Sequence, residues 1–401
     1  MSDLKKNVWT LNGWYDQTVA GDGSYNLDDT FWAWGTNSYG RLGINKGQPS
    51  PVKYSSPVQV PGTAWSKIAT GNPEGWGGLV QKTDGTLWTW GGNGYGTLGQ
   101  NDVIAYSSPV QIGTDTNWNK ICNGARHWLG IKTDGTLWAC GSNQQGQLGD
   151  GESVGPGEYP STKYSMSSPI QLPGTWSDIG CLTSANYAIK TNGTLWAWGT
   201  NTSGRLGQNE QYRPQYSSPV QVGSDTNWSK LFKTCDKFFL AIKTDGTLWG
   251  MGPSYGGNLG HRSPANNQGY SSPVQIPGTN WAECCGTYTS AYATKTDGTL
   301  WSWGANQYGE LGHNERQQYH YSSPVQIGTR TDWTGGHAKI RAGQMAAFFV
   351  DSAGALFSVG SGSQGQRNTD TSGNVSSPVV IGGSWKDFGT GRYASQGIRE
   401  W

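Results

Sequence analysis

Thr194-Leu195-Trp196-Ala197-Trp198-Gly199 is the stretch whose reading decides the fold. The same pattern stands at Thr86-Leu87-Trp88-Thr89-Trp90-Gly91 and at Thr299-Leu300-Trp301-Ser302-Trp303-Gly304. Looser copies end at Gly35, Gly141, Gly252 and Gly360, so there are seven copies, with terminal glycines spaced 56, 50, 58, 53, 52 and 56 residues apart. A steady period of this length marks stacked supersecondary units. The two Trp of each copy lie two residues apart and therefore share one face of a pleated strand.

The other landmarks keep a fixed order around this strand. Before it runs an apolar stretch into Lys-Thr-Asp-Gly or Lys-Thr-Asn-Gly, as at Ile131 to Gly135 and Ile189 to Gly193. Asp-Gly between apolar runs signals a hairpin, read here as a two-residue turn with both central residues at positive φ. After it comes a glycine-rich turn such as Gly204-Arg205-Leu206-Gly207, then a variable loop, then Tyr-Ser-Ser-Pro-Val-Gln at Tyr54, Tyr106, Tyr216, Tyr270 and Tyr321. Pro109, Pro219 and Pro324 lack a donor and belong at a strand start or an edge. A lone Trp closes each unit: Trp65, Trp118, Trp176, Trp228, Trp281, Trp333 and Trp385. This predicts about four short antiparallel strands per unit, the content of a propeller blade. Nothing shows a sustained apolar period of 3.6, so helix is not expected beyond isolated turns.

An all-β, seven-bladed β-propeller is favoured over an open solenoid, because no polar capping repeat stands at either end. The ends are also complementary. The strand Phe31 to Gly35 lacks a clear hairpin before it, and the last unit stops at Gly397-Ile398-Arg399-Glu400, where that hairpin would begin. The N- and C-terminal segments are therefore expected to close the ring together in one blade, with Phe31–Gly35 paired near Ser395–Ile398. Residues 29–401 form the propeller in this reading, and residues 1–28 an N-terminal extension. That extension is read as an extra strand on the closing blade or as an anchor arm, with Trp9, Trp14 and Tyr15 as its anchoring residues.

Apolar strand, Asp-Gly turn, Leu-Trp-x-Trp-Gly, Asn-x-x-Gly-x-Leu-Gly and Pro-Val, in that order, resemble the regulator of chromosome condensation repeat. The resemblance covers residues 29 to 401 and implies a seven-bladed propeller. It implies much less about function, because that fold hosts a nucleotide-exchange factor, a β-lactamase inhibitor, a photoreceptor and many bacterial and phage proteins. The wording Ser-Ser-Pro-Val-Gln-Ile and Lys-Thr-Asp-Gly-Thr-Leu-Trp-Ala-Trp-Gly is most similar to the bacterial and phage branch. One copy, Ser363 to Asn368, lacks the second Leu-Gly and is expected to turn irregularly. The photoreceptor's Gly-Trp-Arg-His motif is met only once and altered, at Gly124-Ala125-Arg126-His127.

Composition narrows the partners. The 28 basic residues nearly balance 27 acidic ones, for a net charge of +1, without the basic patch that nucleic-acid binding needs. There is no apolar run long enough to span a membrane and no apolar core of a signal peptide. Of 22 Trp, 17 sit at repeat positions, so structure accounts for most of them. Cys122, Cys140, Cys181, Cys235, Cys284 and Cys285 occupy core positions without Cys-x-x-Cys spacing; they are expected as buried free thiols, with no metal site.

No chemistry is evident. His127, His261, His313, His320 and His337 lack ligand spacing, and Asp84, Asp134, Asp245 and Asp297 belong to turns. No catalytic residue, cofactor or metal is expected, and the protein reads as a non-enzyme. Variable loops on a rigid ring are the natural binding elements. All emerge on one face, and Tyr159, Tyr212, Arg213, Arg316, Tyr319 and Tyr321 are its candidate binding residues, since Tyr and Arg are favoured at interfaces. The expected function is a structural and binding protein of a phage virion, such as a tail, fibre or capsid-surface accessory. Its partners would be other virion or assembly proteins, a host-surface protein or a glycan, and its location the virion. Whether the ring forms a homo-oligomer is left open. The alternatives are a cytoplasmic guanine-nucleotide exchange factor-like regulator of a small GTPase, or a bacterial inhibitor or adhesin.

Overall fold

A computed structural model describes residues 29–47, 53–71, 77–152, 165–210, 215–232, 238–261, 269–315, 320–336, 338–343, 346–361, 373–390 and 394–399. They form seven four-stranded antiparallel blades. Blade 1 is Trp65–Ile68, Gly77–Lys82, Leu87–Gly91 and Tyr106–Ile112; blade 2 is Trp118–Asn123, His127–Lys132, Leu137–Gly141 and Met166–Leu172. Blades 3, 4 and 5 repeat this plan from Trp176, Trp228 and Trp281. Blades 6 and 7 merge into one seven-stranded sheet, because Val375–Thr390 is a single strand. Its first part pairs with Ala355–Gly360 of blade 6, and its second part with Ala394–Arg399 of blade 7.

Blade 7 is the closure. Thr30–Thr36 lies against Ala394–Arg399, with Phe31 opposite Ile398 and Trp34 opposite Ser395. Two strands from each end of the described chain thus complete one blade, as the complementary truncation requires. The first strands touch in succession around the ring, and between blades 1 and 2 the two-residue strand Thr70–Gly71 pairs in parallel with Cys122 and Asn123. These first strands surround the axis.

The core lies between blades. Phe31, Trp65, Val80, Trp90 and Ile398 fill the seam of blades 7 and 1; Tyr187, Trp228, Leu231, Phe239 and Met251 that of blades 3 and 4. Burying a large aromatic at such a seam is worth about 3–5 kcal/mol against Ala.

The hairpin motif has a task for each residue. In blade 2, Thr136 donates from both its backbone N–H (2.9 Å) and its hydroxyl (2.7 Å) to Asp134 Oδ1. The same hydroxyl accepts from Trp138 Nε1 at 3.0 Å. Lys132 Nζ lies 3.9 Å from the Trp138 ring centroid and 5.0 Å from that of Trp118. Lys82, Lys190, Lys243 and Lys295 are clamped between two indoles in the same way. Blade 6 carries Asp351 at this position, and Arg330 supplies the cation, pairing with Asp351 at 2.7 Å while covering Trp333 and Phe357. The turn itself differs from expectation. Only its glycine has positive φ (+82° at Gly135), while the Asp does not, because Gly135 N–H bonds to Lys132 O and Lys132 N–H to Thr136 O, a type I turn followed by a left-handed glycine.

The cysteine expectation needs one correction. Cys122 and Cys181 form a disulfide across the first strands of blades 2 and 3, with Cα atoms 6.0 Å apart. Strands surrounding an axis bring near-equivalent repeat positions together, which a reading along the chain does not show. Cys140, Cys284 and Cys285 are free and buried as expected, and Cys235 lies outside the described residues.

Candidate binding face

Antiparallel pairing fixes the two faces. The third strand of each blade ends where the second begins, for example Gly141 opposite His127. The variable loops that follow the third strands therefore share a face with the short turns joining first and second strands. The Asp-Gly turns lie on the other.

Five of the described variable loops start from the same built turn. Asn37, Asn93, Asn143, Asn201 and Asn306 accept with Oδ1 from the N–H of the Leu five residues on, at 2.9–3.0 Å. Their Nδ2 groups donate to the carbonyl nine residues on, as from Asn93 to Asp102 at 3.0 Å. The turn glycine is pressed onto the next blade: a Cβ on Gly40 would lie 2.7 Å from Ser107 Cα, and one on Gly96 2.6 Å from Ser167 Cα. The loop then bonds forward as well, as Asn45 N–H to Ser107 O (2.8 Å) and Asn101 N–H to Ser167 O (2.7 Å). Each loop base is thus locked to its neighbour.

A further bond tightens this face. The carbonyl inside each Gly-x-Leu-Gly turn accepts from a buried aromatic. Arg41, Gln147 and Asn258 receive the second Trp of the next blade, namely Trp90 (3.0 Å), Trp198 (3.0 Å) and Trp303 (2.7 Å). Where the next blade has Met251 or Val359 instead, the donor is a Tyr of the blade itself: Tyr187 to Arg205 (2.6 Å) and Tyr292 to Glu310 (2.7 Å).

The axial end of the opposite face is charged. Lys67 donates to Asn119 O (3.2 Å), Lys230 to Ala282 O (3.2 Å) and Lys339 to Lys386 O (2.5 Å), each on the following blade. Asp178 and Asp387 accept instead from the N–H of Leu231 (2.7 Å) and Ile68 (2.8 Å) of the following blade, and Lys120 pairs with Asp178 at 2.7 Å. The sequence reading missed this collar, although its signal was present: the residue two after the lone Trp is charged in six copies.

Of the expected binding residues, Tyr321 is described. Its hydroxyl donates to Glu315 Oε2 at 2.9 Å, and its ring meets His313 at 5.3 Å, so it braces its loop. Tyr159, Tyr212, Arg213, Arg316 and Tyr319 lie outside the described residues, as do Trp9, Trp14, Tyr15 and the irregular copy 363–368. The loop face instead exposes Tyr39, Val103 and Ile104, which the sequence reading did not single out.

Burial shifts several titratable groups. Burial lowers the pKa of His127 to about 4 against one hydrogen bond from Nε2 to Asn186 Oδ1 at 2.8 Å. Burial also lowers that of His261 to about 4, and raises that of Cys140 to about 12. Among the described residues no group of three or more His, Cys, Asp or Glu could hold a metal ion.

A family model for the regulator of chromosome condensation (RCC1) repeat matches residues 28–72, 84–131 and 297–347. Those three stretches carry the RCC1 repeat. Sequence relatives include the RCC1 domain-containing protein RUG3, mitochondrial, of Arabidopsis thaliana, 25% identical over 71% of this chain and 64% of that protein. They also include the probable E3 ubiquitin-protein ligase HERC3 of Homo sapiens, 26% identical over 49% of this chain and 19% of that one. The chain thus spans less than two thirds of either relative. Human WBSCR16 shares the fold with a TM-score of 0.76 at 19% identity, covering 93% of this chain and 99% of its own. Prp20p of Saccharomyces cerevisiae does so with a TM-score of 0.78 at 16% identity, covering 93% and 91%.

These findings overturn the virion reading and the virion location. The relatives named above are eukaryotic proteins, among them a mitochondrial one, and none of them is a tail, fibre or capsid protein. The wording that suggested phage is that of the RCC1 repeat itself. Its Thr and Asp residues serve the side-chain hydrogen bonds of the hairpin turn described above.

Proposed function

We propose that this RCC1-repeat propeller is a protein-binding regulator, and that its partner is a small GTPase whose nucleotide exchange it promotes. The observation that carries the binding reading is the locked loop face, where every described loop base is tied to the next blade. A rigid scaffold of this kind loses little entropy on docking. Prp20p, which shares the fold, has been solved together with a study of its binding to Gsp1p and histones, which supports a protein partner. The family resemblance supports the exchange reading.

Release of a fluorescent guanine nucleotide from a panel of purified small GTPases tests this. At least one should release nucleotide at least tenfold faster with substoichiometric propeller, and form a complex stable to gel filtration when nucleotide-free. A panel that shows neither rejects the GTPase as partner.

A further inference from the structure

Five large hydrophobic residues are exposed among the described ones: Tyr39, Val103, Ile104, Val379 and Val380. The last two share the outer strand of blade 6. The first three lie on the loop face, on the two loops that flank the seam of blades 7 and 1. Gly40, next to Tyr39, packs on Ser107, and Ser107 follows Ile104 by three residues.

Neither tip is slack. Asp102 faces inward and gathers Tyr106 Oη (2.8 Å), Ile104 N–H (3.0 Å) and Asn93 Nδ2 (2.9 Å). Asn101, at φ +61°, ties the same loop forward to blade 2. Val103 and Ile104 are thereby held outward, 58% and 62% exposed. Tyr39 sits at φ +59°, a left-handed backbone that disfavours a bulky side chain, yet it is 47% exposed.

The rim is basic. Arg41 is fixed beside Tyr39 by its Nε bond to Ser38 O at 3.1 Å. Lys46 is exposed, and its carbonyl accepts from Asn37 at 3.0 Å, which keeps it on the same turn. Beyond the seam, Arg126 lies over Tyr95 at 4.6 Å. The acid at the seam, Asp102, is consumed internally.

We propose that this seam is a docking site for a short protein segment carrying an apolar anchor flanked by carboxylates. Tyr39, Val103 and Ile104 receive the anchor; Arg41 and Lys46 meet the acids. A few aromatic and Arg contacts of this kind can supply most of an interface's affinity, and opposite charges at the rim set its specificity. The site does not depend on the GTPase reading.

Fluorescence anisotropy with three labelled peptides tests it: Glu-Asp-Leu-Phe-Glu-Asp, the basic Lys-Arg-Leu-Phe-Arg-Lys, and the acidic Glu-Asp-Gly-Ser-Glu-Asp. The first should bind saturably and weaken with salt, and the other two should bind at least tenfold more weakly. Val103→Ser/Ile104→Ser and Arg41→Gln/Lys46→Gln should each lower affinity at least tenfold. Tyr39→Asn should do the same without lowering the melting temperature, since Asn tolerates the left-handed backbone. Val379→Ser/Val380→Ser should leave binding intact. No saturable binding of the first peptide, equal binding of either control, or wild-type affinity in the Tyr39 and Val103/Ile104 variants overturns the proposal. Because no GTPase is present, the outcome is separate from the exchange test.

Discussion

Trp128 Nε1 donates to the carbonyl of Thr97 at 2.9 Å, taking the place of an indole that its own blade lacks. Cys140 stands where other copies have the second Trp, and Trp128 lies directly opposite it on the neighbouring strand. The indole has moved one strand over and kept its bond to blade 1. Trp128→Leu should therefore cost about 3 kcal/mol, combining lost volume with an orphaned carbonyl. The double variant Trp128→Leu/Cys140→Trp should regain part of this in urea unfolding. A double variant no more stable than the single one would show that the positions do not substitute for each other.

Tyr187 and Tyr292 fill the same need by a different route. Tyr187→Phe and Tyr292→Phe should each lower stability by about 1 kcal/mol, the usual worth of a buried neutral hydrogen bond. Tyr321→Phe, whose hydroxyl bond is exposed, should cost much less. Thermal unfolding of the three variants side by side gives the ranking.

Acid should weaken the ring. His127 and His261 have folded pKa values near 4, below the ordinary 6.5. Between those values the unfolded chain binds more protons, so stability rises with pH there and is lost as pH falls from about 6.5 towards 4. Gln100 and Gln208 occupy the position of His261 in other blades and donate to two carbonyls each. His261→Gln should thus leave stability at pH 7.5 near wild type and flatten its decline in acid. An unchanged slope would remove His261 from the account.

Asp387 is buried and joins blade 7 to Ile68 of blade 1, with Lys339 and Arg341 of blade 6 both 3.4 Å away. Asp387→Ala should cost about 2–3 kcal/mol, since it orphans a buried N–H and removes the carboxylate beside two cations. Lys67→Ala, on the exposed rim, should cost under about 1 kcal/mol. Urea midpoints of both variants test the contrast.

Removing residues 385–401 should open the ring. Thr30–Thr36 would lose Ala394–Arg399 and present an unpaired edge, which favours aggregation. A truncated chain that stays monomeric in light scattering would mean that closure is dispensable.

The seven-bladed ring and its closure were legible because both are periodic: Leu-Trp-x-Trp-Gly repeats, and the gap before Phe31 matches the excess after Trp385. The substitutions inside the repeat were not. Cys140 reads as a lost Trp until Trp128 is seen opposite it, and Asp351 as a lost Lys until Arg330 is seen to replace it. Both are contacts across strands or loops, which linear spacing does not carry. Tyr39, Val103 and Ile104 went unremarked because exposure depends on what the next blade covers. The choice of Tyr and Arg in the longer loops rested on residue type alone.

The joining of Thr30–Thr36 to Ala394–Arg399 also sets a timetable. On the ribosome the first of these strands emerges some 360 residues before its partner, about 20 to 70 seconds earlier at ordinary synthesis rates. Blades 1 to 5 can each complete from consecutive segments as they emerge. Thr30–Thr36 waits throughout, and until Ala394–Arg399 arrives it offers a nascent chain nearby the edge it is keeping for that strand.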